Sequence, residues 1–132
     1  MSQAWELLLE LIISERARVP AIAAELELSP AQLQVLRMIE PGQSVAMGRV
    51  ACGLGCDASN VTGIVDRLEK RGLVERRPGP ADRRVKVLVI TPAGLRLRRT
   101  AMRRLAQPPE AISRLTPEEQ DMLASILSRA LA

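Results

Sequence analysis

Apolar residues recur along this chain at helical spacing in several stretches, each bounded by capping or breaking residues. From Gln3 to about Glu27 the residues Trp5, Leu8, Leu9, Ile12 and Ile13 mark a broad apolar stripe with helical period. Pro20 is expected to start a new helical segment there or to kink a continuous one. Ser29 then reads as an N-cap, with Pro30 at the first helical position and Gln32 completing a capping box. Leu33, Leu36 and Ile39 give that helix its buried face, and Pro41-Gly42 ends it. A short helix fits Met47 to Leu54, with Val50, Ala51 and Leu54 inward, and Gly55 breaks it. A further helix from Ala58 to Arg71 has Asp57 as N-cap and Gly72 just past its end. Two helices joined by a tight Gly-containing turn form a helix-turn-helix pattern.

The pattern then changes period. Leu73 to Arg77 and Val85 to Ile90 read as strands, separated by the turn-rich, basic Pro78-Gly-Pro-Ala-Asp-Arg-Arg84. A hairpin directly after a helix-turn-helix is a wing. Thr91 caps a helix beginning at Pro92, with Leu95, Leu97, Met102 and Leu105 apolar, broken at Gln107-Pro108-Pro109. Thr116-Pro-Glu-Glu119 is another capping box, opening a last helix to about Leu131. The expected fold is mainly α with a small β-hairpin (α+β): a winged helix-turn-helix flanked by N- and C-terminal helices.

Composition removes several function classes. The chain has 132 residues, 47% apolar, which suits one domain with one core. It contains no histidine, the commonest general base and metal ligand, and two cysteines alone cannot complete a structural zinc site. Phe and Tyr are absent and Trp5 is the single aromatic, so there is no stacking platform for single-stranded nucleic acid. No Walker loop or dinucleotide fingerprint occurs. An enzyme is not expected, nor any cofactor or metal. The longest apolar runs are a few residues, so no membrane span is expected. Glu6, Glu10 and Glu15 interrupt the N-terminal apolar stretch, which argues against a secretory signal and leaves a reducing cytoplasm as the default.

Charge is unevenly placed. The net charge is +4, but residues 57–106 alone carry thirteen bases and five acids, while residues 1–47 sum to −3 and 107–132 to −2. A basic middle held between mildly acidic, apolar ends fits a polyanion-binding segment. A plain solvated surface is the alternative.

Asp57-Ala-Ser-Asn-Val-Thr-Gly-Ile-Val-Asp-Arg-Leu-Glu-Lys-Arg-Gly-Leu-Val-Glu-Arg-Arg77, then Asp82-Arg-Arg84 and Ile90-Thr-Pro-Ala-Gly94, resembles the multiple-antibiotic-resistance regulator (MarR) family. The match is dense from about Ser29 to Gly94. The resemblance implies a cytoplasmic, nucleoid-associated regulator that binds duplex DNA as a homodimer on a pseudo-palindromic operator. It further implies a ligand-responsive repressor with a small-molecule effector. Within a single MarR-like domain spanning 1–132, residues 29–94 would form the DNA-binding lobe, and 1–28 and 95–132 the dimerisation helices.

Side-chain placement along the helix agrees with that reading. At about 100° per residue, Val61, Ile64, Val65 and Leu68 cluster on one side. Ser59, Asn60, Gly63, Asp66, Arg67 and Lys70 lie opposite, with Thr62 on the flank. Ser59, Asn60, Thr62, Gly63, Arg67 and Lys70 are the expected DNA contacts of this recognition helix. Gly63 costs about 1 kcal/mol relative to Ala in a helix interior, and there it would let the backbone approach DNA. In the wing, Arg76, Arg77, Asp82, Arg83, Arg84 and Lys86 are the candidates. Arg83, Arg84 and Lys86 suit a minor groove. Asp82 either braces Arg84 or merely favours the turn. Arg76 and Arg77 alternate along one strand, so at most one faces phosphate.

The remaining features each carry two readings. Cys52 and Cys56 are assigned to packing, Cys56 as a staple against Val61, with a thiol redox sensor as the alternative. Arg96, Arg98, Arg99, Arg103 and Arg104 reach flanking phosphates or acidic helices, or form a solvated face. Leu8, Leu9 and Ile12, with Met122, Leu123, Ile126, Leu127 and Leu131, make both terminal helices too apolar for solvent and are the expected dimer contacts. The rival to DNA binding is a winged-helix protein-interaction module without specific duplex recognition.

Overall fold

The computed structural model describes residues 2–55 and 58–132, and the side chains of residues 58 and 59 lie outside that description. The expected Asp57 cap, the Cys56 staple and the Ser59 contact therefore fall outside the described residues. The elements run α1 (Gln3–Glu15), α2 (Arg18–Glu25), α3 (Pro30–Met38), β1 (Ser44–Ala46), α4 (Met47–Leu54), α5 (Ala58–Lys70), β2 (Val74–Pro78), β3 (Lys86–Ile90), α6 (Pro92–Ala106), α7 (Glu110–Ser113) and α8 (Pro117–Leu131).

Both capping boxes form. Ser29 Oγ accepts from the Gln32 N–H at 3.1 Å while Gln32 Oε1 accepts from the Ser29 N–H at 2.8 Å. Thr116 and Glu119 repeat the arrangement at the start of α8. The break after α1 falls at Arg16 and Ala17, upstream of Pro20. Pro20 instead occupies the first turn of α2, where its missing N–H needs no helical partner.

The sheet has the order β1-β3-β2, all antiparallel, with Ser44 opposite Val89 and Val74 opposite Ile90. It is mainly a two-stranded wing whose inner strand recruits β1, which leads straight into α4. Within β3, Val87 and Leu88 are buried, and Leu88 joins the core cluster.

The buried cluster draws on almost every central element: Ala23, Leu33, Val35, Leu36, Ile39, Val50, Val61, Val65, Leu68, Leu73, Val74, Leu88 and Ala101 among others. A Leu or Ile buried to this degree contributes about 1.5–3 kcal/mol. The packed lobe is wider at both ends than the expected 29–94, since α2 supplies Ile22 and Ala23 and α6 supplies Ala101. The physical reason is a small core: a wing and three helices leave α3 half open, and α2 and α6 close it.

Arginines finish two helix ends within this lobe. Arg98, with 13% of its side chain exposed, donates to the Leu36 carbonyl at 3.1 Å and the Arg37 carbonyl at 3.3 Å, and pairs with Glu40. Arg71 donates to the Glu27 carbonyl at 2.6 Å, where Glu27 takes a left-handed φ of 58° at the end of α2. Cations at helix C-termini satisfy orphan carbonyls and complement the dipole.

The terminal helices differ from the rest. Neither α1 nor α8 buries a single residue. Ile12 is 51% exposed, Met122 64% and Ile126 48%, with Leu8, Leu127 and Leu131 also exposed. Leu9 and Leu123 are half-buried. No helix among the described residues is long and apolar enough to cross a membrane.

Candidate nucleic-acid interface

α5 is amphipathic as its sequence requires. Val61, Val65 and Leu68 are buried at 1% exposure or less, while Asn60, Thr62, Asp66, Arg67, Glu69 and Lys70 are exposed on the other side. Its end is a Schellman motif: the Leu73 N–H donates to the Leu68 carbonyl at 3.0 Å and the Gly72 N–H to that of Glu69 at 2.9 Å. Gly72 sits there at φ 72°, a left-handed conformation that glycine adopts without steric cost. A Cβ at Gly63 would meet nothing within 4 Å. Internal packing therefore places no demand for glycine at that position.

The wing hairpin closes tightly. The Gly79 N–H donates to the Val85 carbonyl at 2.7 Å, and the Val85 N–H to that of Asp82 at 3.1 Å. A Cβ on Gly79 would stand 2.6 Å from the Asp82 carbonyl oxygen and 3.0 Å from that of Val85. Both are backbone atoms, so glycine is required for this tip to form.

At the tip, Asp82 and Arg84 adopt the braced arrangement. Asp82 Oδ1 accepts from the Arg84 backbone N–H at 3.0 Å and from its Nε at 3.3 Å, while Oδ2 accepts from Nη2 at 3.4 Å. The backbone N–H first, and the guanidinium second, hold the Asp82 carboxyl below its usual range. Arg84 nonetheless presents 91% of its side chain to solvent. The aspartate serves the turn and the arginine together.

Arg76, one of the expected wing contacts, is engaged within the protein. Its guanidinium turns back onto α5, pairing with Asp66 at 2.5 Å and Glu69 at 2.7 Å and donating to the Thr62 carbonyl at 3.3 Å. Its backbone N–H also donates to Glu69 at 3.0 Å. Burial alone would lower this guanidinium's pKa, but the hydrogen bond and charge of Asp66, with those of Glu69, hold it above its ordinary value. Strand alternation sends Arg77 the other way, where it pairs with Glu75 at 2.7 Å and stays 60% exposed. The lock across α5 and β2 was not anticipated from sequence. Its signal was the Asp66/Glu69 pair on one flank of the helix, followed by an arginine two residues into the strand.

The pairing leaves a simple charge pattern. All four acids between residues 58 and 90 are engaged by arginines: Asp66 and Glu69 by Arg76, Glu75 by Arg77, and Asp82 by Arg84. Arg67 and Lys70 on α5, and Arg83 and Lys86 on the wing, are exposed and have no ion-pair partner among the described residues.

The arginine run of α6 divides. Arg98 caps α3 and Arg104 pairs with Glu25 at 2.5 Å, whereas Arg96, Arg99 and Arg103 point along one outward face. Cys52 corrects the packing assignment. It is exposed beside Arg49, Gly48 and Gly53 in an open cleft between α4 and β1, because the buried side of α4 is taken by Val50.

Comparison with known proteins agrees with this geometry. The MarR family profile matches residues 28–86. The chain is 30% identical over 131 residues to an HTH-type transcriptional regulator of Bacillus subtilis, YfiV, covering 96% of this chain and 82% of that protein. It is 32% identical over 99 residues to the transcriptional repressor MprA of Escherichia coli, covering 70% of this chain and about half, 53%, of MprA. Its fold is that of Escherichia coli MarR, with a TM-score of 0.81 to the apo form at 24% identity, covering 100% of this chain and 98% of the other. A mutant MarR in complex with operator DNA gives 0.66 at the same identity, over 98% of this chain and 95% of that one. The chain belongs to the MarR family of winged helix-turn-helix transcriptional regulators, which are not enzymes.

Proposed function

We propose that the protein is a repressor that binds a pseudo-palindromic duplex operator as a homodimer. The observation that carries this reading is the charge pattern just described: four unpaired cations divided between α5 and the wing, with every intervening acid already engaged. α5 would enter a major groove with Asn60, Thr62, Gly63, Arg67 and Lys70 foremost, and Ser59 at its N-terminal end. Arg83, Arg84 and Lys86 would reach the adjacent minor groove. Phosphate contacts set affinity and base contacts set sequence choice.

The exposed apolar stripes of α1 and α8 support the dimer, since burying them against each other and a second copy removes them from water. A two-fold axis through these helices sets two copies of α5 on one side of the assembly, about one DNA turn or a multiple apart. Repression is supported by the likeness to MprA, and operator binding by the likeness to MarR. A small-molecule effector that changes the spacing of the two lobes completes the reading, in a cytoplasmic protein acting at the nucleoid.

An electrophoretic shift on the duplex upstream of its own coding sequence, with unrelated duplex as competitor, tests it. The expected result is a retarded species that survives competitor and weakens steeply with salt. Equal displacement by unrelated duplex, or binding insensitive to salt, overturns it in favour of a protein-interaction module.

A further inference from the structure

α5 poses an electrostatic difficulty for any surface meant to meet phosphate. Its four charged residues are Asp66, Arg67, Glu69 and Lys70, two of each sign, so the helix itself is formally neutral. Asp66 stands between Gly63, three residues before it, and Lys70, four residues after it, on the outward side where helical neighbours meet. A bare carboxylate there would lie well inside the Debye length of about 8–10 Å from a bound phosphate and repel it.

The neutralising charge comes from outside the helix. Arg76 on β2 reaches back to Asp66 and Glu69 with 25% of its side chain exposed, less than any other arginine of the wing hairpin that forms an ion pair. The Thr62 carbonyl and the Arg76 backbone N–H anchor the same contact. Four bonds to one helix flank exceed what an incidental surface pair makes.

We propose that Arg76 is an internal counter-ion for the recognition helix, a positioning residue that withdraws Asp66 and Glu69 from the surface meeting DNA and leaves Arg67 and Lys70 to act there. The inference rests on the DNA-binding reading above. It assigns Arg76 no contact with DNA. Its effect is exerted through the two carboxylates, and therefore depends on their charge rather than on the space the guanidinium fills.

The test measures fluorescence anisotropy with two labelled probes: the duplex upstream of the protein's own coding sequence and a random-sequence duplex of equal length. Wild-type binding to the first checks the underlying reading, and its failure overturns that reading rather than this inference alone. Arg76→Gln is expected to weaken binding to both probes by at least about tenfold, with the gap to wild type narrowing as salt rises, because repulsion is screened. Adding Asp66→Asn and Glu69→Gln to Arg76→Gln is expected to restore most of the lost affinity. The double variant Asp66→Asn/Glu69→Gln, with Arg76 intact, is expected to bind at least as tightly as wild type. Wild-type affinity in Arg76→Gln overturns the inference. So does a loss that neither salt nor removal of the carboxylates reverses, or weaker binding by the Asp66→Asn/Glu69→Gln variant, either of which marks Arg76 as scaffold only.

Discussion

The Thr91 hydroxyl donates to the Gly72 carbonyl oxygen at 2.6 Å, joining the exit of the wing to the exit of α5. The Thr91 hydroxyl oxygen in turn accepts from the Gly94 N–H at 3.0 Å and caps α6, while the Thr91 N–H donates to the Leu73 carbonyl at 3.1 Å. Thr91 thus fixes α5, the hairpin and α6 to a common point.

Thr91→Val is expected to cost about 1–2 kcal/mol of stability, from the lost cap and the stranded Gly72 carbonyl. Gly94→Ala is expected to cost more. A Cβ there would press into the Leu73 carbonyl oxygen, a backbone atom with nowhere to go. Urea titration followed by circular dichroism gives both values, and Gly94→Ala as stable as wild type would contradict the packing described.

In the wing, Arg84→Ala is expected to weaken operator binding with no change in circular dichroism or oligomeric state, and Asp82→Ala to weaken it less, since only orientation is lost. Unchanged affinity in Arg84→Ala at moderate salt would remove the wing from the mechanism. Asp82→Ala that binds more tightly would show that repulsion from phosphate outweighs bracing.

Asp82 also sets a pH expectation. Its folded-state pKa is depressed, so the pairing is fully present above the ordinary carboxylate pKa and is lost as pH falls through the lower folded value. With no histidine in the chain, operator affinity at fixed ionic strength should stay flat between about pH 6 and pH 8. A step in that window, measured by anisotropy, would require a titrating group outside this account.

Deleting residues 117–132 is expected to abolish dimerisation and tight operator binding together, because it removes Met122, Leu123, Ile126, Leu127 and Leu131. Ile126→Glu is the milder version, placing a charge in the apolar stripe at a residue that supports no intrachain core. Light scattering reports the mass of each. An intact protein that is monomeric at micromolar concentration and still binds its operator fully would defeat the dimer.

Glu27 holds a left-handed conformation that costs a non-glycine residue about 1–2 kcal/mol. Glu27→Gly should relieve part of that and raise the melting temperature, provided Arg71 keeps its bond to the carbonyl. A lower melting temperature would mean that the glutamate side chain contributes more than its backbone costs.

Elements with local signals were legible in the sequence. The Ser29 and Thr116 boxes, Thr91 with Pro92, and the glycine after α5 each announce themselves within four residues, and all stand where the spacing put them. β1 did not, because three residues hold no period and Ser44–Ala46 are ordered only by pairing with Val87–Val89. α7 escaped for the same brevity. The exposed side of α5 was readable from its period, but the Arg76 lock was not, since it depends on the angle at which β2 leaves the Gly72 turn. Cys52 departs from the expected packing because α4 is short, and one buried residue, Val50, satisfies it.

α6 is 15 residues long, a stiff rod of about 22 Å. Its first turn is bolted to the wing through Thr91, and its last carbonyls, those of Arg104 and Gln107, receive the Arg18 guanidinium from the start of α2. Such a rod works as a pointer. A tilt of about 10° at the far end sweeps the wing through roughly 4 Å, close to the rise of one base pair, about 3.4 Å. Angular play of about 10° where the terminal helices meet the lobe would therefore be enough to move Arg84 by about one base-pair step.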